Sequence, residues 1–417
     1  MDAPAAAPLI FSFDVVCPYA CLALFEVEAL AARLGLPLVV EPVLLGGLFR
    51  AQSAPDQPAA GWSVAKARHG ALDITRQAHV RGHHWRLAPG HPRRSVEAMR
   101  LVIAAEPEQR LPLARALAQA YHGQGQDLSD RAVLAPIGAA FGVDIARIDA
   151  PEVKDELRAN TERAAAAGAF GVPTLRHGER LWWGVDRFAA AAQAIGGAAP
   201  EPLPARPGHR RRLTVVFDLA SPFAHIGLSV AQRVAEKHGV ELVLWPVLLG
   251  ALFRSIGTPD VPLFAMAEAK RAWTGRDLFE QAAQQGVPLQ FSSHFPVRTV
   301  LPLRVLLDRP DLAVAMSAAV WTEDQDLGDP AVLAAWLRAR GEDADALLAA
   351  AEAPEVKARL RASNTRAEEA GVFGVPTWIV DDGPPIWGVD RLPLVERALA
   401  GLELGPVDAF AEGGPRP

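Results

Sequence analysis

Residues 213–228 read LTVVFDLASPFAHIGL, a β-branched apolar run leading into a capped amphipathic segment. The run LTVVFDL (213–219) suits a buried strand. Ser221 offers a capping hydroxyl directly before Pro222, whose fixed φ fits the first position of a helix. Phe223, Ile226, Val230 and Val234 then recur at helical spacing as far as Gly239. VELVLWPVLL (240–249) supplies a second strand, so the segment predicts a βαβ unit with a right-handed crossover. From about 262 to 370 the chain is Ala- and Leu-rich, with helical periodicity and almost no strand signal. Strands resume at PTWIV (376–380) and PIW (385–387), and RLPLVERALAGL (391–402) closes as a helix. The pattern predicts an α/β domain with an all-helical insertion after its second strand.

The same pattern occurs earlier in the chain. FSFDVVCPYACLAL (11–24) matches VVFDLASPFAHIGL (215–228), and EPVLLGGLFR (41–50) matches WPVLLGALFR (245–254), both at an offset of 204. In that register Lys66 and Asp73 correspond to Lys270 and Asp277, and Arg100 to Arg304. GAFGVPT (168–174) returns as GVFGVPT (371–377) with a one-residue slip, and WGVDR (183–187) returns at 387–391. A period near 200 residues is too long for a solenoid unit and marks a duplicated domain. The expected organisation is one domain at 8–195, a Pro/Gly/Ala-rich linker at 196–211, a second domain at 212–403 and a flexible tail at 404–417.

Composition narrows the function classes. With 50% apolar and 22% charged residues and a formal net charge of −6, the 417-residue chain reads as a folded protein without a basic nucleic-acid surface. The N-terminus lacks a basic n-region, and Asp14 and Pro18 interrupt the apolar run that follows, so neither a signal peptide nor a membrane partner is expected. Cys17 and Cys21 are the only cysteines, which excludes a disulfide framework and points to the cytoplasm. His79, His83, His84 and His91 suggest a metal cluster by spacing, but their counterparts are Ala283, Val287, Pro288 and Phe295, and no HExxH pattern occurs. They read better as surface or pocket histidines. No glycine-rich phosphate loop is present.

The chemistry concentrates at the two helix starts. Ser221 sits beside unpaired N–H groups and the positive end of a helix dipole, where an anion is favoured. It has no reason to ionise, so from these residues alone it is either a cap only or a donor to a thiolate brought to the helix head. Cys17 occupies the same position in the first copy, and the same dipole predicts a lowered pKa and a reactive thiolate. A second thiol in a Cys-x-x-Cys motif would stand at Ala20. Cys21 lies one residue further on, and side chains at i,i+4 are about 5–6 Å apart at Cβ, too far for a ready disulfide. A monothiol that forms mixed disulfides is the expectation for Cys17, and a buried small hydrophobe for Cys21.

Together, Cys-Pro-Tyr-Ala and Ser-Pro-Phe-Ala at helix starts, PVLLGALFR, FGVPT and WGVDR resemble the 2-hydroxychromene-2-carboxylate isomerases. These belong with kappa-class glutathione transferases and DsbA-like proteins on the thioredoxin-like fold. The resemblance covers both halves and implies two thioredoxin-like domains, each with a helical insertion. It also implies glutathione as cofactor, and cis–trans isomerisation of a small aromatic or conjugated electrophile from aromatic catabolism. On this reading Ser221 is the catalytic residue of the competent second half. The bonds Val172-Pro173 and Val375-Pro376 would be cis and would meet the glutathione main chain. Asp186 and Asp390 are placed to cap the last helix of their copies and, on the resemblance, to pair with the γ-glutamyl ammonium, both of which can hold at once, while adjacent backbone at Val185 and Val389 takes its carboxylate. Lys66 and Lys270 would neutralise a glutathione or substrate carboxylate. The asparagine often found upstream of this lysine is absent, the sequence there being Phe264-Ala-Met-Ala-Glu-Ala. Rival readings are a glutathione transferase or thiol–disulfide oxidoreductase using Cys17, and a non-catalytic glutathione-binding protein. Because relatives pair as dimers, the two copies are expected to form an intramolecular pseudo-dimer.

Overall fold

A computed structural model describes residues 7–55, 58–83, 85–86, 88–198 and 203–406. His84 of the histidine group lies outside the described residues, as does most of the expected tail, 407–417. Each half carries a four-stranded mixed sheet. In the first, β1 (Leu9–Phe13) runs parallel to β2 (Leu38–Pro42) and antiparallel to β3 (Thr174–His177), which pairs with β4 (Arg180–Trp183). In the second, β5 (Arg212–Phe217), β6 (Glu241–Pro246), β7 (Thr377–Val380) and β8 (Ile386–Trp387) repeat the order β6-β5-β7-β8. Among the described residues the regular structure between β2 and β3, and between β6 and β7, is entirely helical. The expected α/β domain with a helical insertion is therefore present twice.

The helix that opens each half is set by local chemistry. Pro222–His238 begins at the Ser221 cap, whose Oγ accepts from Ala224 N–H at 3.2 Å, and ends where Gly239 turns left-handed at φ 63°. Such a cap stabilises a helix by about 1 kcal/mol. In the first half Pro18–Leu34 starts after Cys17 without a side-chain cap, because a thiol is a weak acceptor, and stops at Gly35, φ 64°. Leu213 and Val215 pack under the opening and closing helices, whereas Val216 and Phe217 join the core shared with the helical insertion. The sheet is thus covered on both faces, which its β-branched strands require.

Two glycine positions fix the segment that faces the opening helix. A Cβ on Gly374 would lie 2.8 Å from Trp387 Nε1, and one on Gly171 would lie 2.7 Å from Trp183 Nε1, so only glycine lets the FGVPT turn meet the WGVDR tryptophan. Gly184 and Gly388 adopt φ 103° and 106°, a region open to glycine alone, and turn the chain into the short 3-10 turns Val185–Arg187 and Val389–Arg391. No helix among the described residues is long and apolar enough to cross a membrane.

Candidate active sites

Ser221 stands at the head of its helix, 8% exposed. Its oxygen accepts from Ala224 N–H, and no bond donated by its hydroxyl to another described residue is found. The bond Val375-Pro376 is cis, and Pro376 lies so close to the opening helix that a Cβ on Gly227 would come within 2.9 Å of it. The N–H and C=O of Val375 engage no other described residue. His225, one turn along the helix, is not a free base: Nε2 lies 3.0 Å from Pro288 O, which requires an N–H there, and Nδ1 then accepts from Ser317 Oγ–H at 3.0 Å.

The equivalent site in the first half differs. Val172-Pro173 is also cis, but Cys17 Sγ–H donates to Val172 O at 3.2 Å. Burial pushes the thiol up to about 12, against the pull of the Ala20 and Tyr19 N–H groups, and the Asp14 carboxylate adds to the rise. The expected low-pKa thiolate is therefore corrected. A helix terminus helps a thiolate that water can also reach, but here desolvation outweighs it. Cys21 is raised likewise to about 12, burial being the main cause, and both thiols are free.

Asp186 and Asp390 do not cap the last helices, and that reading is corrected too. Their 3-10 turns stand where the halves meet, and both carboxylates turn to arginines. Arg187 forks onto Asp277 at 2.6 and 2.9 Å, pairs with Asp186 and reaches Asp390 at 3.2 Å. In mirror fashion Arg391 forks onto Asp73 at 2.7 and 2.9 Å and reaches Asp186 at 3.0 Å and Asp390 at 3.1 Å. Tyr19, from the Cys-Pro-Tyr-Ala turn itself, donates to Asp73 at 2.7 Å; Phe223 replaces it in the second half, and Gln281 donates to Asp277 instead at 2.6 Å. Burial pushes Asp73 up, but Arg391 overrides it and holds the carboxyl at about 2. Asp390 is raised, by burial first and then by Asp186 and Asp277, despite both arginines. A buried carboxylate left under-compensated in this way is suited to one more cation.

Lys66 and Lys270 lie on the facing helices Val64–Val80 and Glu268–Gln285. No carboxylate pairs with either among the described residues. Lys66 Nζ stands 5.1 Å over the Trp62 ring, and Lys270 Nζ stands 5.6 Å over Trp183 of the other half. Burial lowers both, and the charge of Lys270 lowers Lys66 further. Val185 and Val389 bury their side chains in the core, which leaves only their main chain for binding.

Sequence reasoning missed two groups. Asp14 and Asp218, three residues before Cys17 and Ser221, are buried and tie the helix start to the first residue of the short helix after the second strand, through Leu45 N–H at 3.0 Å and Leu249 N–H at 2.7 Å. Their signal was the Phe-Asp pair repeated at 13–14 and 217–218. For the cross-half ion pairs the sequence showed only that Asp73 with Asp277 and Arg187 with Arg391 are kept in both copies, not which of them would meet.

The profile of the DSBA-like thioredoxin domain matches residues 8–196 and again 212–400. Glutathione S-transferase kappa 1 of Rattus norvegicus is 27% identical over 215 residues, covering 47% of this chain and 94% of that protein. The 2-hydroxychromene-2-carboxylate isomerase of Sphingobium xenophagum is 27% identical over 198 residues, covering 44% and 95% respectively. A solved structure of 2-hydroxychromene-2-carboxylate isomerase aligns at TM-score 0.42 and 22% identity, covering 46% of this chain and 95% of its own.

Proposed function

The chain belongs to the DSBA-like thioredoxin domain family through both of its halves, and from that premise we propose that it is a glutathione-dependent cis–trans isomerase of the 2-hydroxychromene-2-carboxylate type, acting in aromatic catabolism from its second half. The observation that carries this reading is Ser221, a buried hydroxyl at a helix head that donates to no described residue. The relatives named kappa glutathione transferase and isomerase support the choice of thiol and of reaction. When bound, glutathione supplies a thiol able to add reversibly to a conjugated double bond and leave after rotation.

The residues present fit that tripeptide. Ser221 would hold the sulfur by donating its hydroxyl to it, a hydrogen bond that favours the ionised thiol. Val375 offers an unengaged N–H and C=O to an extended peptide main chain. Asp390, raised by burial and beside two further carboxylates, receives the γ-glutamyl ammonium. Lys66 and Lys270, free of carboxylate partners among the described residues, receive a carboxylate from glutathione or from the electrophile. Transfer or thiol–disulfide exchange at Cys17 is opposed by its bonded, protonated thiol.

Conversion of 2-hydroxychromene-2-carboxylate with added glutathione tests the reading. Ser221→Ala should lower turnover by on the order of 10²–10³, as for loss of one well-placed donor, with the fold retained and Cys17→Ala nearly silent. Unchanged turnover of Ser221→Ala at saturating glutathione sinks the assignment. Glutathione binding without turnover on any conjugated electrophile would identify a binding protein instead.

A further inference from the structure

A cavity of about 580 Å³ opens in the second half, beside β5 and β6 and against the helices Val300–Leu306 and Pro354–Glu369. Trp245, Leu306, Leu307 and Pro310 give it an apolar wall. Arg212, Arg359 and Arg366 line it too, and no carboxylate among the described residues does. Arg212 is paired with Asp382 at 2.5 Å and Arg359 with Asp308 at 2.6 Å, both acids standing outside the wall. Arg366 is the surplus cation: its guanidinium lies 4.5 Å over the Trp245 ring and meets no acid among the described residues. Thr214 is 7% exposed, and its hydroxyl bonds no described residue. Nor is that oxygen sealed from solvent, so it opens into the cavity that Thr214 lines. A hydroxyl so covered and still unpaired is rare in a native interior, and here it faces a space that a ligand can fill.

The first half supplies a carboxylate of its own to the same arginine. Glu41 stands at the position of Trp245, opposite Ser12 as Trp245 is opposite Val216, and Arg163 stands at that of Arg366 in the repeated PEVK helix. Glu41 is 3% exposed, accepts from Arg163 at 3.0 Å and from Ser12 at 2.6 Å, and pairs with Arg176. In the second half Trp245 replaces the acid, Val216 the serine and Ile379 the second arginine. Only Arg366 is kept. The duplication thus marks a guanidinium that lacks the anion its twin holds, beside a cavity with an aromatic and aliphatic wall.

We infer that this cavity binds a small aromatic carboxylate of one or two rings, its carboxylate paired with Arg366 in place of the missing glutamate. A guanidinium presents a planar fork of donors that matches a carboxylate, and stacking on Trp245 holds that fork in place. Leu306, Leu307 and Pro310 offer the apolar surface that rings require. The Thr214 hydroxyl, able to donate and to accept, serves a polar substituent or the second carboxylate oxygen. A cavity of about 150 Å³ holds benzene, so the space available admits one or two rings. None of these residues belongs to the Ser221 or Cys17 chemistry, and the inference stands without it.

The test uses the full chain. Calorimetry with 2-naphthoate should show saturable binding, whereas 2-naphthol, which lacks the charge, and acetate, which lacks the rings, should each bind at least about tenfold more weakly. Arg366→Leu, at an exposed position, should weaken naphthoate by about tenfold or more. Trp245→Glu returns to Arg366 the acid that Arg163 holds and should abolish binding. If that variant fails to fold, Thr214→Val keeps the shape of the side chain, removes the hydroxyl and should still weaken binding by about threefold or more. Crystals soaked in 6-bromo-2-naphthoate should place the bromine anomalous peak beside Trp245. No saturable binding of naphthoate, bromine only at the Ser221 helix head, naphthol binding as tightly as naphthoate, or affinity unchanged in folded Arg366→Leu would each overturn the inference.

Discussion

Cys17 Sγ–H donates to Val172 O, and burial holds the thiol near 12 instead of its ordinary 9.0. The thiol is therefore held protonated at neutral pH. Iodoacetamide at pH 7.5 should therefore label Cys17 in the folded chain at least about tenfold more slowly than in urea, with Cys21 equally protected; mass spectrometry reads both sites. Rapid, selective labelling of Cys17 in the native protein would restore the activated thiolate that its helix position alone suggests. At Ser221 the same position needs no ionisation of the side chain, so burial does not oppose its role as a donor.

The π-helical turn Gln119–Gly123 follows a helix that carries Pro112 in its interior, and it places Tyr121 and His122 side by side. Tyr121 Oη accepts from Arg93 N–H at 3.0 Å and contacts His91 Nδ1 at 3.1 Å. Burial lowers His91 to about 4 and His122 to about 3, from an ordinary 6.5. For groups lowered in the folded state, the stabilising contribution is present above 6.5. It is lost as pH falls from there towards 3–4, because the unfolded chain takes up the proton first. Each such histidine contributes a slope of about 1.4 kcal/mol per pH unit. Urea midpoints at pH 7, 5.5 and 4.5 should fall more steeply for the wild type than for His122→Phe. Parallel curves would mean that the ring is already open to water and charged.

At the scale of the whole molecule the halves share a buried cluster in which Asp73, Asp186, Asp277 and Asp390 are bridged by Arg187 and Arg391. Around it, Trp273 packs against Phe170 and Trp183, and His69 against Phe373 and Trp387, related by the same 204-residue offset on the facing helices. We propose that each half serves as the other's dimer partner. The intact chain should then sediment as a monomer, whereas residues 211–403 alone, with Trp273, Phe373 and Trp387 uncovered, should self-associate. Arg391→Ala leaves Asp73 buried without its fork and should cost about 3–5 kcal/mol, splitting a single thermal transition into two. A monomeric, fully active second half would show the halves to be independent.

The duplication, the strand–helix–strand opening, the Ser221 cap and the helical insertion were all legible in the sequence, because each rests on local periodicity or on repetition. Residues 213–239 specify their strand, cap, helix and left-handed stop with neighbours no more than a few positions away. What the chain order could not convey is which groups lose water and which distant groups replace it. Cys17 and Ser221 look alike as helix heads, yet the Val172 carbonyl, 155 residues away in sequence, closes on the thiol. Asp390 looks like an ordinary cap, yet Arg187, 203 residues away, draws it into a shared cluster. Desolvation and ion pairing depend on the full three-dimensional surround, so the protonation of Cys17 and the partners of Asp186 and Asp390 were decided by tertiary structure alone.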